Sequence, residues 1–353
     1  MTTIRILGRA APWRTLFLAI AVAVAQLPAP VAGAAARGDR PALRWRADDA
    51  LSSSRFALAA ATAPDGSIFA IGGADAASVT TVVEVYTPRT RRWRAGPSLP
   101  RPRYRHAAAT GGDGRVYAIG GSSPGAEGAF LSSVLALTPG DDHWVPVASM
   151  PSGRQLLAAT AGTDGRVYAV GGDRRGSLST LEVYEPTVDR WTTAASMPTP
   201  RYEMGVTGGP DGRIYAIGGC GDGVLNVLDV VEAYSPTTDT WATLAPLPSR
   251  RCLVDATTGP DGRIYATGGC ELVTDPSGRP VDCVDTTRVD AYSPDTGTWA
   301  TVTGTTTAHR EGAAVTSGRR IFAIGGHTAG VESARVTARR PPGAWPACVT
   351  GTG

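Results

Sequence analysis

The sequence has no lysine, so all 34 of its basic residues are arginines. Three of them, Arg5, Arg9 and Arg14, lie in an N-terminal segment without acidic residues. Without that segment, 31 arginines stand against 31 aspartates and glutamates, and the chain is close to neutral. A nucleic-acid-binding surface needs a concentrated excess of positive charge. The composition therefore predicts no nucleic-acid partner.

Signals for catalysis and metal binding are also scarce. The four histidines, His106, His143, His309 and His327, are scattered over different parts of the chain. The sequence has no Gly-x-Ser-x-Gly nucleophile motif, no phosphate-binding loop and no cysteine pair at the spacing of a zinc site. We therefore predict no metal centre and no cofactor.

Long apolar runs are missing apart from one segment, Leu16–Ala25. This segment follows the three N-terminal arginines and precedes small residues up to Ala36, as in a cleavable secretory signal. A bilayer span needs about 20 apolar residues, so an uncleaved anchor is the second interpretation. We predict a signal peptide over residues 1–36 and a linker over 37–42. The mature protein is expected to be secreted, periplasmic or extracellular, without a membrane span.

Glycine and proline are abundant, with 44 and 27 residues, and they recur in a pattern. A Gly-Gly pair follows a short apolar run six times, at intervals of 47 to 57 residues. An Asp-Gly pair precedes most of these runs, and a segment with Tyr, Pro and Trp follows them, such as EVYTPRTRRW ending at Trp93. Asp-Gly favours tight hairpin turns, so each repeat predicts four antiparallel strands.

The order of two glycines, tyrosine and tryptophan, with arginine before the next repeat, resembles the kelch motif. The resemblance covers roughly residues 43–337. It implies an all-β fold, a six-bladed kelch-type β-propeller with four antiparallel strands per blade. We place this propeller at residues 43–340 and a C-terminal tail at 341–353.

Closure of the ring is predicted from the tryptophan spacing. Trp45 stands fourteen residues before Ala59, the offset that recurs in the other repeats. The last repeat has no tryptophan at the expected place, so the N-terminal strand around Trp45 is expected to complete the last blade. Trp345 is the alternative, but it is out of register and lies among prolines, which remove a strand donor.

An arginine lies ten residues after most of these tryptophans, where each first strand begins. A ring of guanidinium groups would bind carboxylates, and arginines of kelch substrate adaptors bind acidic peptide segments at the corresponding face. The alternative is structural, with each arginine bonded to loop carbonyls or to Glu84, Glu182, Glu232 or Asp290. The predicted ligand-binding residues are Arg55, Arg103, Arg154, Arg201, Arg251 and, beside His309 in the last repeat, Arg310.

Two positions further on, the repeats differ from one another. Alternate repeats carry Arg105, Glu203 and Glu311, and His106 follows the first of them. Acidic and basic groups around a concave mouth are what general acid–base catalysis needs, so these four are the candidate catalytic residues. The chain is also similar to six-bladed kelch-type sugar epimerases of the bacterial periplasm. That similarity implies a sugar-acid epimerase or mutarotase with its site in the central funnel.

The cysteines cluster in the fourth and fifth repeats. We predict disulfides between Cys270 and Cys283, which flank a long loop, and between Cys220 and Cys252. A Cys252–Cys270 link is the alternative pairing, and metal or redox chemistry is the alternative role. Cys348 is left over in the tail.

Three functions remain open from the sequence. The first is a secreted, non-catalytic binding module, a monomer that recognises a protein segment or a glycan, which can be acidic, through the loop face. The second is the sugar-acid enzyme, and the third is a structural surface protein without a defined ligand.

Overall fold

The computed structural model describes residues 44–125, 130–328 and 331–341. Over this part of the chain there is no helix, and so none long and apolar enough to span a membrane. The predicted signal peptide and linker, and also Trp345 and Cys348, lie outside the described residues. The described strands fall within the segment predicted as the propeller.

The strands follow one another in a regular order. They are β1 (Arg46–Ala47); β2 (Ala59–Thr62), β3 (Ile68–Ile71), β4 (Val83–Thr87) and β5 (Arg92–Ala95); β6 (Ala107–Thr110), β7 (Val116–Ile119), β8 (Val134–Leu137) and β9 (Val145–Val147); β10 (Ala158–Ala161), β11 (Val167–Val170), β12 (Leu181–Glu185) and β13 (Arg190–Ala194); β14 (Gly205–Gly208), β15 (Ile214–Ile217), β16 (Val231–Ser235) and β17 (Thr240–Thr243); β18 (Arg251–Cys252), β19 (Asp255–Thr258), β20 (Ile264–Thr267), β21 (Cys270–Thr274), β22 (Pro280–Asp285), β23 (Val289–Ser293) and β24 (Thr298–Val302); β25 (Ala313–Ser317), β26 (Arg320–Ile324), β27 (His327–Thr328), β28 (Val331–Glu332) and β29 (Val336–Arg339).

The strands form repeated four-stranded antiparallel sheets. We number these sheets 1 to 6: β2-β3-β4-β5, β6-β7-β8-β9, β10-β11-β12-β13, β14-β15-β16-β17, β19-β20-β23-β24 and β25-β26-β29-β1. Two smaller sheets, β18-β21-β22 and β27-β28, extend from sheets 5 and 6. In sheet 6 the outer strand is β1, which pairs antiparallel with β29.

The hairpin between the first and second strands depends on the Asp-Gly pair. In sheet 2, Gly114 has a φ of +80°, which an L side chain rarely adopts. Asp113 accepts hydrogen bonds from the backbone N–H and the Nε of Arg115 and, at 2.7 Å, from the Tyr117 hydroxyl. The same Asp–Arg–Tyr contacts recur in sheets 3, 4 and 5. The repeat therefore sets its own turn locally.

The Gly-Gly pair is required where the second strand ends. Both glycines of sheet 1, Gly72 and Gly73, have positive φ values, 56° and 97°. A Cβ atom on Gly72 would lie 2.4 Å from the carbonyl oxygen of Arg103, in the next repeat. Glycine is therefore needed here for its backbone conformation and for close approach to the neighbouring repeat.

The apolar core lies between neighbouring sheets. Each buried cluster draws on two consecutive sheets, and one cluster joins sheet 6 to sheet 1. Each motif tryptophan also donates its indole N–H to a backbone carbonyl of the preceding sheet, at 2.7 to 3.1 Å. The six pairs are Trp45–Thr303, Trp93–Asp49, Trp144–Pro97, Trp191–Ala148, Trp241–Ala195 and Trp299–Ala245. Adjacent sheets are thus joined by packing and by one recurrent hydrogen bond.

The two ends of the described chain meet. Trp45 is 3% exposed and packs in the cluster between sheets 5 and 6. The first strand of each sheet contacts the first strand of the next, and β25 contacts β2. Trp45 therefore makes in sheet 6 the same contacts that the other motif tryptophans make in theirs.

One expectation about the fifth repeat is wrong. The long segment after Gly269 was expected to be a loop, but it forms the hairpin of β21 and β22. The turn is set by Asp275, whose carboxylate accepts backbone hydrogen bonds from Ser277 and Arg279. Proline is tolerated because Pro280 begins β22, an edge strand of its sheet.

Candidate functional site

The main cavity lies where the first strands of all six sheets meet. Its volume is about 810 Å³, including its opening to solvent. Small aliphatic side chains make up most of its wall, so the ionisable groups are conspicuous. These groups are Arg105, His106, Glu203, Asp255 and Glu311. The cavity therefore brings together all four predicted catalytic candidates and one further carboxylate.

Backbone geometry positions the residues at the mouth of this cavity. The residue two positions before the start of each first strand has φ between 50° and 54°, and three of these six residues are Arg105, Glu203 and Glu311. Backbone hydrogen bonds connect neighbouring members of this ring, among them Ala57 N–H to the Glu311 carbonyl at 2.8 Å. The left-handed conformation costs roughly 1–2 kcal/mol at a non-glycine residue, and here the hydrogen bonds offset it. The three charged side chains thus project from a fixed backbone.

Glu203 has the most strongly altered ionisation at the mouth. Burial raises its pKa to about 7, with Glu311 adding to the effect, whereas Arg105 and Arg310 oppose it. Glu311 itself lies 3.3 Å from the Nδ1 of His327. Two carboxylates in one cavity therefore differ in their partners, and Glu203 can carry a proton near neutral pH.

His106 is the weakest of the catalytic candidates on chemical grounds. It is 5% exposed, and neither ring nitrogen has a hydrogen-bond partner in the described structure. Burial, followed by the charge of Arg103, lowers its pKa to about 3. The imidazole is therefore neutral at physiological pH, and this favours a packing role.

Asp255, which was not among the predicted site residues, lies on the cavity wall at the start of β19. Its Oδ2 is buried without a hydrogen-bond partner, and the nearest ionisable group is the Nε2 of His309, 3.9 Å away. Burial raises the pKa of Asp255 to about 7. The equivalent residues in the other sheets are small: Ala59, Ala107, Ala158, Gly205 and Ala313. Among the first residues of the six first strands, Asp255 alone is neither alanine nor glycine. This difference between the repeats is the sequence signal that could have identified Asp255.

The predicted arginine ring needs a correction. Five of its members, Arg55, Arg103, Arg154, Arg201 and Arg251, are at most 5% exposed. Four of them form buried ion pairs with N···O distances of 2.5 to 2.8 Å. The pairs are Arg55–Glu84, Arg154–Glu182, Arg201–Glu232 and Arg251–Asp290. Their other hydrogen bonds go to backbone carbonyls of the same repeat and, for Arg154, also to the Ser152 hydroxyl. Burial and pairing favour the structural alternative over ligand binding for these five residues.

Two members of the series differ from this pattern. Among the described residues Arg103 has no acidic partner; it donates to the Ser133 hydroxyl and to two carbonyls, and burial lowers its pKa to about 10. Arg310 is half-buried and lies 3.1 Å from Asp285. Arg310 is therefore the one predicted ligand-binding arginine that stays near the mouth.

The cysteines pair as the sequence favoured. The structure has disulfides between Cys220 and Cys252 and between Cys270 and Cys283, with Cα atoms 5.3 Å apart in each. The Sγ of Cys252 also lies 3.3 Å from the Glu203 carboxylate. Glu203, Cys220 and Cys252 are the only close group of potential metal ligands in the described residues. Because the two sulfurs are bonded to each other, neither is a thiolate ligand in this state.

Comparisons with known proteins agree with the repeat pattern. The family model for the kelch motif matches residues 55–100, 103–151, 156–198 and 206–248. A solved structure titled "Structure of YjhT" is 18% identical to the chain, with a TM-score of 0.67. The matched region covers 83% of this chain and 95% of the chain in the solved structure. At this identity, the likeness concerns the fold alone. No curated protein sequence matches the chain.

Proposed function

The chain belongs to the kelch-repeat family, and from this premise we propose that it is a secreted, non-catalytic binding module that recognises a glycan in its central cavity. Kelch repeats in general mediate binding, and the all-β repeated sheets are those of a β-propeller. We further propose that the six sheets are six blades of a closed ring, with the N-terminal strand completing the last blade.

Closure is supported by contacts between the two chain ends. Trp45 belongs to sheet 6 by its packing, and its indole donates to the Thr303 carbonyl of sheet 5 as its equivalents do. The Ala57 amide donates to the Glu311 carbonyl, which connects the first sheet to the last. A closed ring leaves no first or last blade with an uncovered apolar face.

Secretion is supported by two features. The disulfides Cys220–Cys252 and Cys270–Cys283 are of a kind that persists in oxidising compartments and is rare in the cytosol. The N-terminal 36 residues also have the charge and apolar pattern of a secretory signal. The proposed location is therefore periplasmic or extracellular.

The observation that carries the binding proposal is the convergence of Arg105, Glu203 and Glu311 on one cavity. The cavity is concave and open to solvent, as small-ligand sites are. Carboxylates and a guanidinium group are hydrogen-bonding partners for sugar hydroxyls. The half-buried aromatic residues Tyr104 and Tyr202 immediately precede two of the three charged residues, and the guanidinium group of Arg105 lies over the Tyr104 ring. These features favour a glycan over an extended protein segment, which would need an open groove.

The test is capture on a glycan array with the purified secreted protein. We expect binding by the wild-type protein and loss of binding in Arg105→Ala. The matched control is Arg101→Ala, which removes an exposed arginine outside the cavity. Equal binding by both variants would place the site elsewhere on the propeller, and absence of any glycan ligand would contradict the proposal.

A second function is favoured by one specific observation, the pKa of about 7 at Glu203. A carboxyl group that ionises near neutral pH, beside Glu311 and Arg105, can exchange a proton with a sugar hydroxyl. The proposed reaction is interconversion of the anomers of a sugar acid, with Arg105 holding the substrate carboxylate. NMR exchange between anomers, accelerated by the wild-type protein and not by Glu203→Gln, would support it. An exchange rate equal to that of buffer would exclude it.

A further inference from the structure

The cavity carries more negative than positive groups. Glu203, Asp255 and Glu311 are three carboxyl groups in its wall, against one guanidinium group, Arg105. His106 contributes no charge because its imidazole is buried and neutral. The arginines that predicted an acidic ligand are buried and paired elsewhere. When these carboxyl groups ionise, the field inside the cavity favours a cation.

The groups around each carboxylate do not balance this charge. Glu203 interacts with Arg105, Glu311, Arg310 and Asp173, and Arg310 also pairs with Asp285. Glu311 faces His327, which is charged only when protonated. Among these groups, Arg105 is the one permanent cation that lines the cavity.

Asp255 is the least compensated carboxyl group of the three. Within the described residues its one ionic neighbour is His309, at 3.9 Å, and burial lowers the pKa of this histidine, so that it is neutral at pH 7. The buried Oδ2 accepts no hydrogen bond, although every other sheet has alanine or glycine at this place. A buried carboxylate without a donor destabilises a fold, so its presence where alanine would fit points to a ligand that supplies the donor.

We propose that the cavity binds a glycan through a free primary ammonium group, that is, an amino sugar. The ammonium group would donate hydrogen bonds to the carboxylates of Asp255 and Glu203. Arg105 and Glu311 would then contact the sugar hydroxyls. This inference rests on the proposed glycan-binding function and specifies the class of its ligand.

The number of ammonium protons fits this assignment. A primary ammonium has three N–H donors and no acceptor, and carboxylates have only acceptors when ionised. Binding would place a donor next to the Asp255 carboxyl group, whose side chain is 17% exposed on the cavity wall although its Oδ2 is buried. An N-acetylated sugar offers one neutral amide N–H instead, and a sugar acid would bring a fourth carboxylate into the cavity.

The test is isothermal titration calorimetry of the full chain at pH 7 with four probes. These are the glucosamine trimer, its N-acetylated counterpart, a galacturonic acid trimer and Nα-acetyl-lysine amide. We expect the glucosamine trimer to bind about tenfold or more tightly than each of the other three, since it alone combines an ammonium group with sugar hydroxyls.

Variants locate the interaction in the cavity. Asp255→Asn and Glu203→Gln should each weaken binding of the glucosamine trimer by about tenfold and leave that of the N-acetylated trimer unchanged. The matched control is Asp295→Asn, which removes the same charge at an exposed turn outside the cavity. Thermal melting of each variant checks folding, and Asp255→Asn is expected to melt at or above the wild-type temperature.

Each contrary result has a distinct meaning. Tighter binding of the N-acetylated or galacturonic acid trimer would overturn the ammonium assignment and leave glycan binding intact. Tighter binding of Nα-acetyl-lysine amide would overturn it in favour of a protein segment. Equal weakening by Asp295→Asn would refute the role of the cavity, and binding of none of the probes would overturn the inference while the glycan array tests the wider proposal separately.

Discussion

Replacing Asp255 with alanine should stabilise this protein, although the change removes a residue from the proposed ligand site. In the folded protein the carboxyl group is on the cavity wall, with a side chain 17% exposed and an Oδ2 that has no partner. Alanine already occupies the equivalent place in four of the other sheets, so the smaller side chain fits the strand geometry.

The size of the effect follows from the pKa of Asp255, which burial raises from 3.8 to about 7. The folded state therefore keeps the proton to a higher pH than the unfolded chain does. Ionisation begins to destabilise the folded state above about pH 4, and the full penalty is reached above about pH 7. At about 1.4 kcal/mol per pH unit the limit is about 4 kcal/mol. Because the side chain is partly exposed to water, we expect about 2–4 kcal/mol.

The assay is urea denaturation followed by tryptophan fluorescence at about pH 4.5 and about pH 8. Asp255→Ala should exceed the wild-type free energy of unfolding by about 1 kcal/mol or less at the lower pH, which lies just above the unfolded-state pKa, and by about 2–4 kcal/mol at the higher pH. Asp295→Ala, at an exposed turn, should show no such pH-dependent difference. A gain of equal size at both pH values, or a loss at pH 8, would refute the assignment of an uncompensated carboxylate.

Three further predictions concern the buried Trp45, the buried arginine side chains and the disulfides. Trp45→Ala should lower the free energy of unfolding of the whole domain by about 3–5 kcal/mol in urea denaturation, because the indole is buried between sheets 5 and 6; a change confined to local fraying would contradict its role in closure. Arg201→Ala should lower the free energy of unfolding by about 3–5 kcal/mol in the same assay, because it leaves Glu232 buried and unpaired. Arg103→Ala, whose described partners are neutral, should lower it by about 1–3 kcal/mol. The reverse order of the two losses would contradict the ion-pair argument. Cys270→Ser should lower stability by up to about 3 kcal/mol, and non-reducing peptide mapping of the wild-type protein should recover the two disulfides, with a Cys252–Cys270 peptide as the contrary result.

The repeat pattern alone determined the local structure of this protein. Asp-Gly turns, Gly-Gly strand ends and the Tyr-Pro-Trp segment act within one repeat, so their spacing predicts four antiparallel strands each time. The offset of Trp45 from Ala59 likewise predicted a strand shared between the chain ends, and β1 pairs with β29. The cysteine positions favoured the two disulfides because the repeat register places their strand ends together.

Side-chain direction was decided only by the tertiary structure. The arginine series and the residues two positions later recur at the same places in the sequence, and both were expected at the mouth of the channel. The structure turns Arg201 into its sheet, against Glu232, and leaves Glu203 in the cavity. The difference arises because an acid on the third strand pairs with the buried guanidinium group in four repeats, whereas Arg103 is buried against a hydroxyl and two carbonyls.

For Asp255 too, the sequence determines one feature and the tertiary structure another. The sequence places it in a column of alanines and glycines, and that column marks the start of a first strand. Whether its carboxylate would find a donor depended on which side chains the fifth and sixth sheets bring together, and the sixth carries His309 where the others carry arginine. The repeat period determines the position of a residue on its own strand, because the turns and strand pairings within one repeat join residues that are close in sequence. The charge balance of the cavity is the sum of the groups on six first strands that are distant in sequence, and only the tertiary contacts between those strands determine it.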